Sequence, residues 1–109
     1  MSPRGAASKG RQLLDLAVTE AELQSSVLDL AGHRGWLSYH VFDSRRSAAG
    51  FPDLTLVRGD RLIFAELKRE GRHPTPAQRA WLAALGTVTA VESHLWRPST
   101  WPDIERALR

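Results

Sequence analysis

The sequence has no cysteine among its 109 residues, which excludes disulfide bonds and thiolate metal sites. It also lacks an apolar run of membrane-spanning length, and the N-terminus lacks the apolar stretch of a signal peptide. The four histidines show no metal-ligand spacing, and neither a glycine-rich phosphate loop nor a Ser/His/Asp set is present. We therefore expect a soluble, cytoplasmic protein with no membrane contact.

What the chain does contain is typical of one small globular domain. Hydrophobic residues make up 42% and charged residues 25%, and there is no internal repeat. The composition predicts a flexible basic leader over 1–15, with Arg4, Lys9 and Arg11, and a single folded domain over 16–109. The net charge of +3 permits a polyanionic partner, and the leader could contact DNA phosphates or simply be disordered.

Two apolar runs on either side of Arg58-Gly59-Asp60-Arg61 predict a β-hairpin. With Gly59 and Asp60 as a two-residue loop, for which glycine in the first position favours type II′, the register places Asp53 opposite Glu66. Opposed residues on one sheet face have Cβ atoms roughly 4.5–5.5 Å apart, so both carboxylates could hold one cation. Lys68 lies on the same face, two residues further along.

Two carboxylates held this close repel each other, and a bound cation would relieve the repulsion. Oxygen ligands without cysteine or clustered histidine favour a hard ion, Mg²⁺ or Mn²⁺. The alternative is a surface hairpin with scattered acids. The strands argue against it, because they are apolar on both faces apart from these residues and thus typical of a sheet covered by helices on both sides.

Two helix starts carry further candidates. Thr19 and Glu22 form a capping-box pattern, and the helical wheel places Glu20 and Gln24 at the edge of the apolar stripe, facing the sheet. In Thr75-Pro76-Ala77-Gln78, capping alone explains Gln78, although it is also in line with the sheet-facing leucines. Gln78 can therefore cap the helix and also support the site.

The remaining pattern completes the fold and its basic residues. Strands are predicted over 36–42 and 87–91, with 95–96 as a continuation after a kink, and a closing helix over 98–108. We expect a three-layer α/β domain with a mixed sheet of about four strands. Arg58 and Arg61 are expected only to blunt the hairpin turn. The candidate phosphate contacts flank the acids; they are Arg45, Arg46, Arg69 and Arg72. For Arg45 and Arg46, plain solvated loop charges are an equal alternative.

An acid-rich helix, then Gly50-Phe51-Pro52-Asp53, Glu66-Leu67-Lys68 and Thr75-Pro76-Ala77-Gln78, resembles the VRR-NUC branch of the PD-(D/E)xK nuclease superfamily. The resemblance covers about 19–109. The bare acid motif is degenerate, but the glycine before Phe-Pro-Asp and the following glutamine make the match more specific. It implies a restriction-endonuclease-like core and Mg²⁺- or Mn²⁺-dependent endonuclease activity on DNA, often branched, flapped or junction DNA, in phage or bacterial single-domain forms.

By this resemblance, Asp53, Glu66, the Leu67 carbonyl and Glu20 would ligate the metal. Lys68 would position the attacking water or neutralise charge, and Gln24 and Gln78 would hold outer waters. Gln24 could instead take the place of Glu20. A homodimer is expected, and a helicase or other replication or repair partner is conceivable. The competing interpretations are a non-catalytic DNA-binding module and a nuclease subunit that needs a partner.

Overall fold

The computed structural model describes residues 8–42 and 48–109. In chain order the helices and strands are α1 (Lys9–Ala17), α2 (Glu20–His33), β1 (Leu37–His40), β2 (Leu54–Arg58), β3 (Arg61–Leu67), α3 (Pro76–Gly86), β4 (Val91–Trp96), a 3₁₀ turn (Pro98–Thr100) and α4 (Trp101–Ala107). None of these helices is both long and apolar enough to cross a membrane.

The four strands form one mixed sheet in the order β1-β2-β3-β4. The first three are antiparallel, and β4 returns parallel to β3 after α3. This confirms the predicted α/β domain with a mixed sheet. The hairpin register is also as predicted, with Arg58 opposite Arg61 and Val57 opposite Leu62. Gly59 has φ +61° and Asp60 has a negative φ, which fits the type II′ turn.

The main core lies between the sheet and the α2/α4 layer. Even-numbered β2 residues and odd-numbered β3 residues share this face because side chains alternate along a strand. Leu56 and Ile63 are directly paired and fully buried, and they belong to the same cluster as Val27 of α2 and Ile104 of α4. Burial of such side chains contributes about 1.5–3 kcal/mol each and holds the hairpin in one register.

Helix α3 covers the opposite face over β3 and β4. Phe64 on β3 contacts the ring of Phe51 edge-on, and Phe51 contacts Trp81 of α3 in the same way. The Ser93 hydroxyl donates a 2.9 Å hydrogen bond to the Leu82 carbonyl and ties β4 to the helix. Helices therefore lie on both faces, but on the α3 side Leu37 of β1 remains 75% exposed.

The N-terminal segment differs from the prediction. Residues 1–7 lie outside the described part, whereas Lys9–Ala17 form a helix in place of the expected flexible leader. Ser8 caps this helix by accepting a hydrogen bond from the Arg11 N–H, and Asp15 is buried. The Arg69 guanidinium donates to the Leu16 carbonyl at 3.4 Å, so α1 is attached to the rest of the domain.

The outer strands also differ from their predicted bounds. β1 is shorter than 36–42, and β4 spans Val91–Trp96 where a strand over 87–91 was predicted. Glu92 and Ser93 suggested a kink because both are polar. In the structure each finds a partner, since Glu92 pairs with Arg61 and Ser93 bonds to α3, so the strand continues through them.

The prediction that Arg58 and Arg61 only blunt the turn was wrong. Both guanidinium groups lie over the Trp36 ring, at 4.6 and 4.9 Å from its centroid. Arg58 donates to the carbonyls of Arg34, Leu108 and Arg109, and Arg61 donates to the Ala107 carbonyl at 2.7 Å. The hairpin tip is therefore a structural junction that anchors the end of α4.

Candidate metal centre

The candidate site forms where β2 begins and β3 ends. One step beyond the last observed pair, Leu54 opposite Ala65, the register brings Asp53 opposite Glu66. One Asp53 carboxylate oxygen, Oδ2, accepts a 2.8 Å hydrogen bond from the Leu67 N–H. Glu66 is only 1% exposed, whereas Asp53 and Lys68 are half-buried. The Glu66 carboxylate therefore lies inside the protein, and the Asp53 carboxylate lies closer to the surface.

Glu66 carries the strongest electrostatic perturbation of the site. The pKa of Glu66 is raised to about 9, chiefly by burial and then by the hydrogen bond and negative charge of Asp53, while the Lys68 ammonium opposes the change. The charge of Glu20 adds a smaller rise in the same pKa. Without a bound cation, Glu66 therefore holds a proton at neutral pH.

Gln78 is a capping residue and a site residue at once. Its Oε1 accepts a 2.8 Å hydrogen bond from the Thr75 N–H, and its main-chain N–H donates to the Thr75 hydroxyl at 3.2 Å. Its Nε2 donates to Glu66 Oε2 at 3.2 Å. Both ends of the amide are thus used, and the cap fixes the direction from which Gln78 reaches Glu66.

The second oxygen of Glu66 is the atom that bears on whether these residues could hold a cation. Glu66 Oε1 is buried and meets no N–H or O–H donor among the described residues. Leaving a buried carboxylate oxygen without a partner is costly, so a proton or a metal ion is the partner this position favours. Mg²⁺ is commonly held by one or two carboxylates and keeps several of its waters, which suits this donor set.

Glu20 is less closely involved than the resemblance implied. It begins α2, its side chain is exposed, and it affects Glu66 only through its charge. Within residues 8–42 and 48–109, no three acidic, histidine or cysteine side chains converge as a metal-binding group. Glu20 as a direct metal ligand stays a prediction. Gln24, one turn further along α2, is half-buried.

The remaining predicted site residues are Leu67 and the arginines expected to contact phosphate. Leu67 meets Asp53 through its N–H, and its carbonyl as a metal ligand stays a prediction. The Arg69 side chain bonds to α1, while the Arg72 side chain is exposed and its carbonyl accepts from Arg97 at 2.9 Å. The predicted Arg45 and Arg46 contacts lie outside the described residues.

Sequence reasoning missed the contact between the Ala49–Phe51 turn and α3. Trp81 donates from its indole nitrogen to the Ala49 carbonyl at 3.1 Å, and Gly50 has φ +82°. The only signal in the sequence was Gly50 itself, in the position before Phe-Pro-Asp. The turn lies between two candidate site residues, because Asp53 follows it and Gln78 lies in the first turn of the helix that it contacts.

A second polar cluster lies on the other face of the sheet, in an open cleft of about 520 Å³ between β4 and α4. Burial lowers the pKa of His94, which lies 3.8 Å from the Glu92 carboxylate. Glu92 is already held by two bonds from Arg61 at 2.7 and 2.8 Å. This cluster therefore joins β3 to β4 and α4 and is separate from the Asp53–Glu66 pair.

Comparison with known proteins gives no relative: the chain matches no protein-family model, no curated protein and no solved structure. The resemblance to VRR-NUC nucleases therefore rests on the motifs of this sequence alone.

Proposed function

We propose that the protein is a Mg²⁺- or Mn²⁺-dependent DNA endonuclease with a restriction-endonuclease-like core. The observation that carries the proposal is Glu66, a buried carboxylate opposite Asp53 with one oxygen that meets no donor within residues 8–42 and 48–109. Such a group is costly to keep in a core unless it has a ligand. Strongly perturbed carboxylates that open to the surface beside a cation are candidates for functional sites.

Asp53 and Glu66 would hold the ion, which when bound would acidify the attacking water and offset the charge that develops on the phosphate. Two further side chains would support the reaction. Lys68, half-buried two residues after Glu66, would orient the water or neutralise charge on the phosphate. Gln78 holds Glu66 Oε2, which leaves the buried Oε1 as the oxygen that would bind the ion.

DNA is the proposed substrate because the site offers cations for a phosphate backbone. The chain has a net charge of +3, and Arg72 projects into solvent shortly after Lys68. Arg45, Arg46 and Arg69 remain proposed contacts on the same grounds of sequence proximity. Phosphate contacts of this kind position a duplex without reading its bases, so selectivity for branched, flapped or junction DNA is proposed rather than sequence specificity.

We also propose a homodimer, with β1 as its centre. β1 is an edge strand of the sheet, and its sequence Leu37-Ser38-Tyr39-His40 has no lysine, proline or acidic residue to discourage pairing. Leu37 is 75% and Tyr39 60% exposed on the sheet face that α3 leaves open. Antiparallel pairing of two β1 strands about a two-fold axis would cover these side chains in both copies.

Sedimentation analysis of wild type and Ser38→Lys tests the dimer. A lysine on the edge strand should give a monomer, whereas Leu13→Lys on α1, where Leu13 is 68% exposed, should leave the dimer intact. Wild type that stays a monomer at micromolar concentration and still cuts branched DNA would exclude the dimer.

Cleavage assays test the activity. Linear, flapped and four-way-junction DNA would be incubated with Mg²⁺ or Mn²⁺ and with wild type, Asp53→Ala or Lys68→Ala. Cutting by wild type alone, abolished by EDTA, is the expected result. If no substrate is cut and all three proteins bind DNA equally well in EDTA, the protein is a DNA-binding module. Cutting that appears only with added cellular extract would indicate a subunit that needs a partner such as a helicase.

A further inference from the structure

The turn at Ala49–Phe51 approaches α3 more closely than any side chain would allow. A Cβ built on Gly50 would lie 2.4 Å from the Ala77 carbonyl carbon, 2.5 Å from its oxygen and 2.6 Å from the Gln78 nitrogen. All three are main-chain atoms of the first turn of the helix, so no rotamer change could relieve the overlap. The φ of +82° at Gly50 adds a second requirement for glycine.

The residues on either side of Gly50 hold the same contact. The Ala49 carbonyl accepts the 3.1 Å hydrogen bond from the Trp81 indole. The Phe51 ring lies between Trp81, at 5.2 Å, and Phe64, at 5.9 Å, with edge-on geometry in both pairs. The turn is therefore fixed to α3 through main-chain, hydrogen-bond and aromatic contacts, and to β3 through Phe64.

This contact reaches both sides of the candidate site. The nitrogen nearest to Gly50 belongs to Gln78, whose side chain donates to Glu66. In the other direction, fully buried Pro52 is the only residue between Phe51 and Asp53. Because proline fixes its own φ, a displacement of the turn is passed on to Asp53 with little freedom to absorb it.

We propose that Gly50 is a positioning residue, which sets the first turn of α3 so that Gln78 meets Glu66 while Asp53 faces the same carboxylate. The catalytic consequence rests on the proposed nuclease function, whereas the structural coupling does not. Gly50 touches no reacting group itself and acts through Gln78 and Asp53.

The decisive variant is Gly50→Ala, and its matched control is Gly59→Ala. Gly59 also has a positive φ, +61°, and it lies at the far end of the hairpin. Apart from its chain neighbours, no heavy atom of the described residues lies within 4 Å of its Cβ position. The control thus carries the backbone strain without the clash. Trp81→Phe is a milder second variant, because it keeps an aromatic ring beside Phe51 and removes only the indole donor.

The first readout needs no activity. In wild type, Glu66→Gln should shift the side-chain amide resonances of Gln78, because the two groups are hydrogen-bonded. In the Gly50→Ala background the same substitution should leave these resonances unmoved, whereas in the Gly59→Ala background the wild-type shift should remain. Trp81→Phe should reduce the shift.

The second readout is cleavage. Gly50→Ala should lower kcat about 10²-fold with a smaller change in KM, as expected for misplaced groups, and Trp81→Phe about fivefold. If Gln78 in Gly50→Ala still responds to Glu66→Gln as in wild type, or if Gly59→Ala loses the response equally, the proposal is wrong. If Gly50→Ala does not fold, Trp81→Phe decides by the same criterion. Absence of any cleavage by wild type would refute the nuclease function and leave the resonance test valid.

Discussion

Replacing Glu66 with glutamine should make the protein more stable in alkaline solution without metal. The wild-type side chain is buried with a pKa of about 9, far above the 4.5 of an unperturbed glutamic acid. The native state therefore holds one proton more than the unfolded chain between these two pH values. The contribution of Glu66 to the free energy of unfolding is therefore fully present below pH 4.5, falls as the pH rises, and levels off above pH 9.

One excess proton corresponds to a slope of at most about 1.4 kcal/mol of unfolding free energy per pH unit. The site opens to solvent through half-buried Asp53 and Lys68. Solvent screening therefore reduces the change in unfolding free energy to about half of this limit. Wild type should then lose about 2 kcal/mol between pH 4.5 and pH 8 through this group. A glutamine amide can still accept from Gln78 and donate to Asp53, so Glu66→Gln should not show this loss.

Urea denaturation at several pH values between 5 and 9, in EDTA, measures the difference. The two proteins should have similar stability at pH 5 and diverge steadily above it, with the variant more stable. Added Mn²⁺ should restore wild-type stability at pH 8 and leave the variant unchanged, because the ion binds the ionised pair. Parallel pH profiles for wild type and Glu66→Gln would refute the reasoning.

Three further changes test other contacts. Arg58→Ala should lower the free energy of unfolding by about 2 kcal/mol in urea denaturation, since it removes the contact with Trp36 and the bonds to the carbonyls of Arg34 and Leu108. Replacing exposed Arg72 with alanine should cost almost nothing, and equal losses would contradict the structural role of Arg58. Thr19→Ala should cost about 1 kcal/mol by the same assay, because it removes the hydroxyl that accepts from the Glu22 N–H and donates to Glu22 Oε1, and unchanged stability would show that this hydroxyl contributes nothing to the cap. Lys68→Ala should abolish cleavage with stability within about 0.5 kcal/mol of wild type, and retained cleavage would exclude Lys68 from the chemistry.

The hairpin could be predicted because its information is local. A two-residue loop fixes the register, the register fixes which residues face each other, and the alternation of apolar residues fixes the buried face. The two capping boxes, at Thr19 and Thr75, are local in the same sense, since cap and partner are three residues apart. These local rules were sufficient to place Asp53 opposite Glu66, whereas the approach of Gln78 to Glu66 is a tertiary contact that only the family resemblance suggested.

The missed features depend on residues far apart in the chain. Arg58 bonds to a carbonyl 50 residues away, and Trp81 to one 32 residues away, and no local pattern indicates either partner. Helix α1 was missed because the segment 1–15 as a whole is rich in small and basic residues. Its stability comes partly from tertiary contacts, such as that between Arg69 and Leu16, rather than from helix propensity alone.

Calorimetric titration of the metal-free protein with Mn²⁺ at pH 7.5 tests the central claim most directly. If Asp53 and Glu66 form the metal site, binding must displace the proton held by Glu66, whose pKa is about 9. Titrations in two buffers of different ionisation enthalpy should show release of about one proton per ion. Asp53→Asn should abolish the binding. Binding of equal strength in wild type and Asp53→Asn, or no binding to wild type at all, would contradict the account.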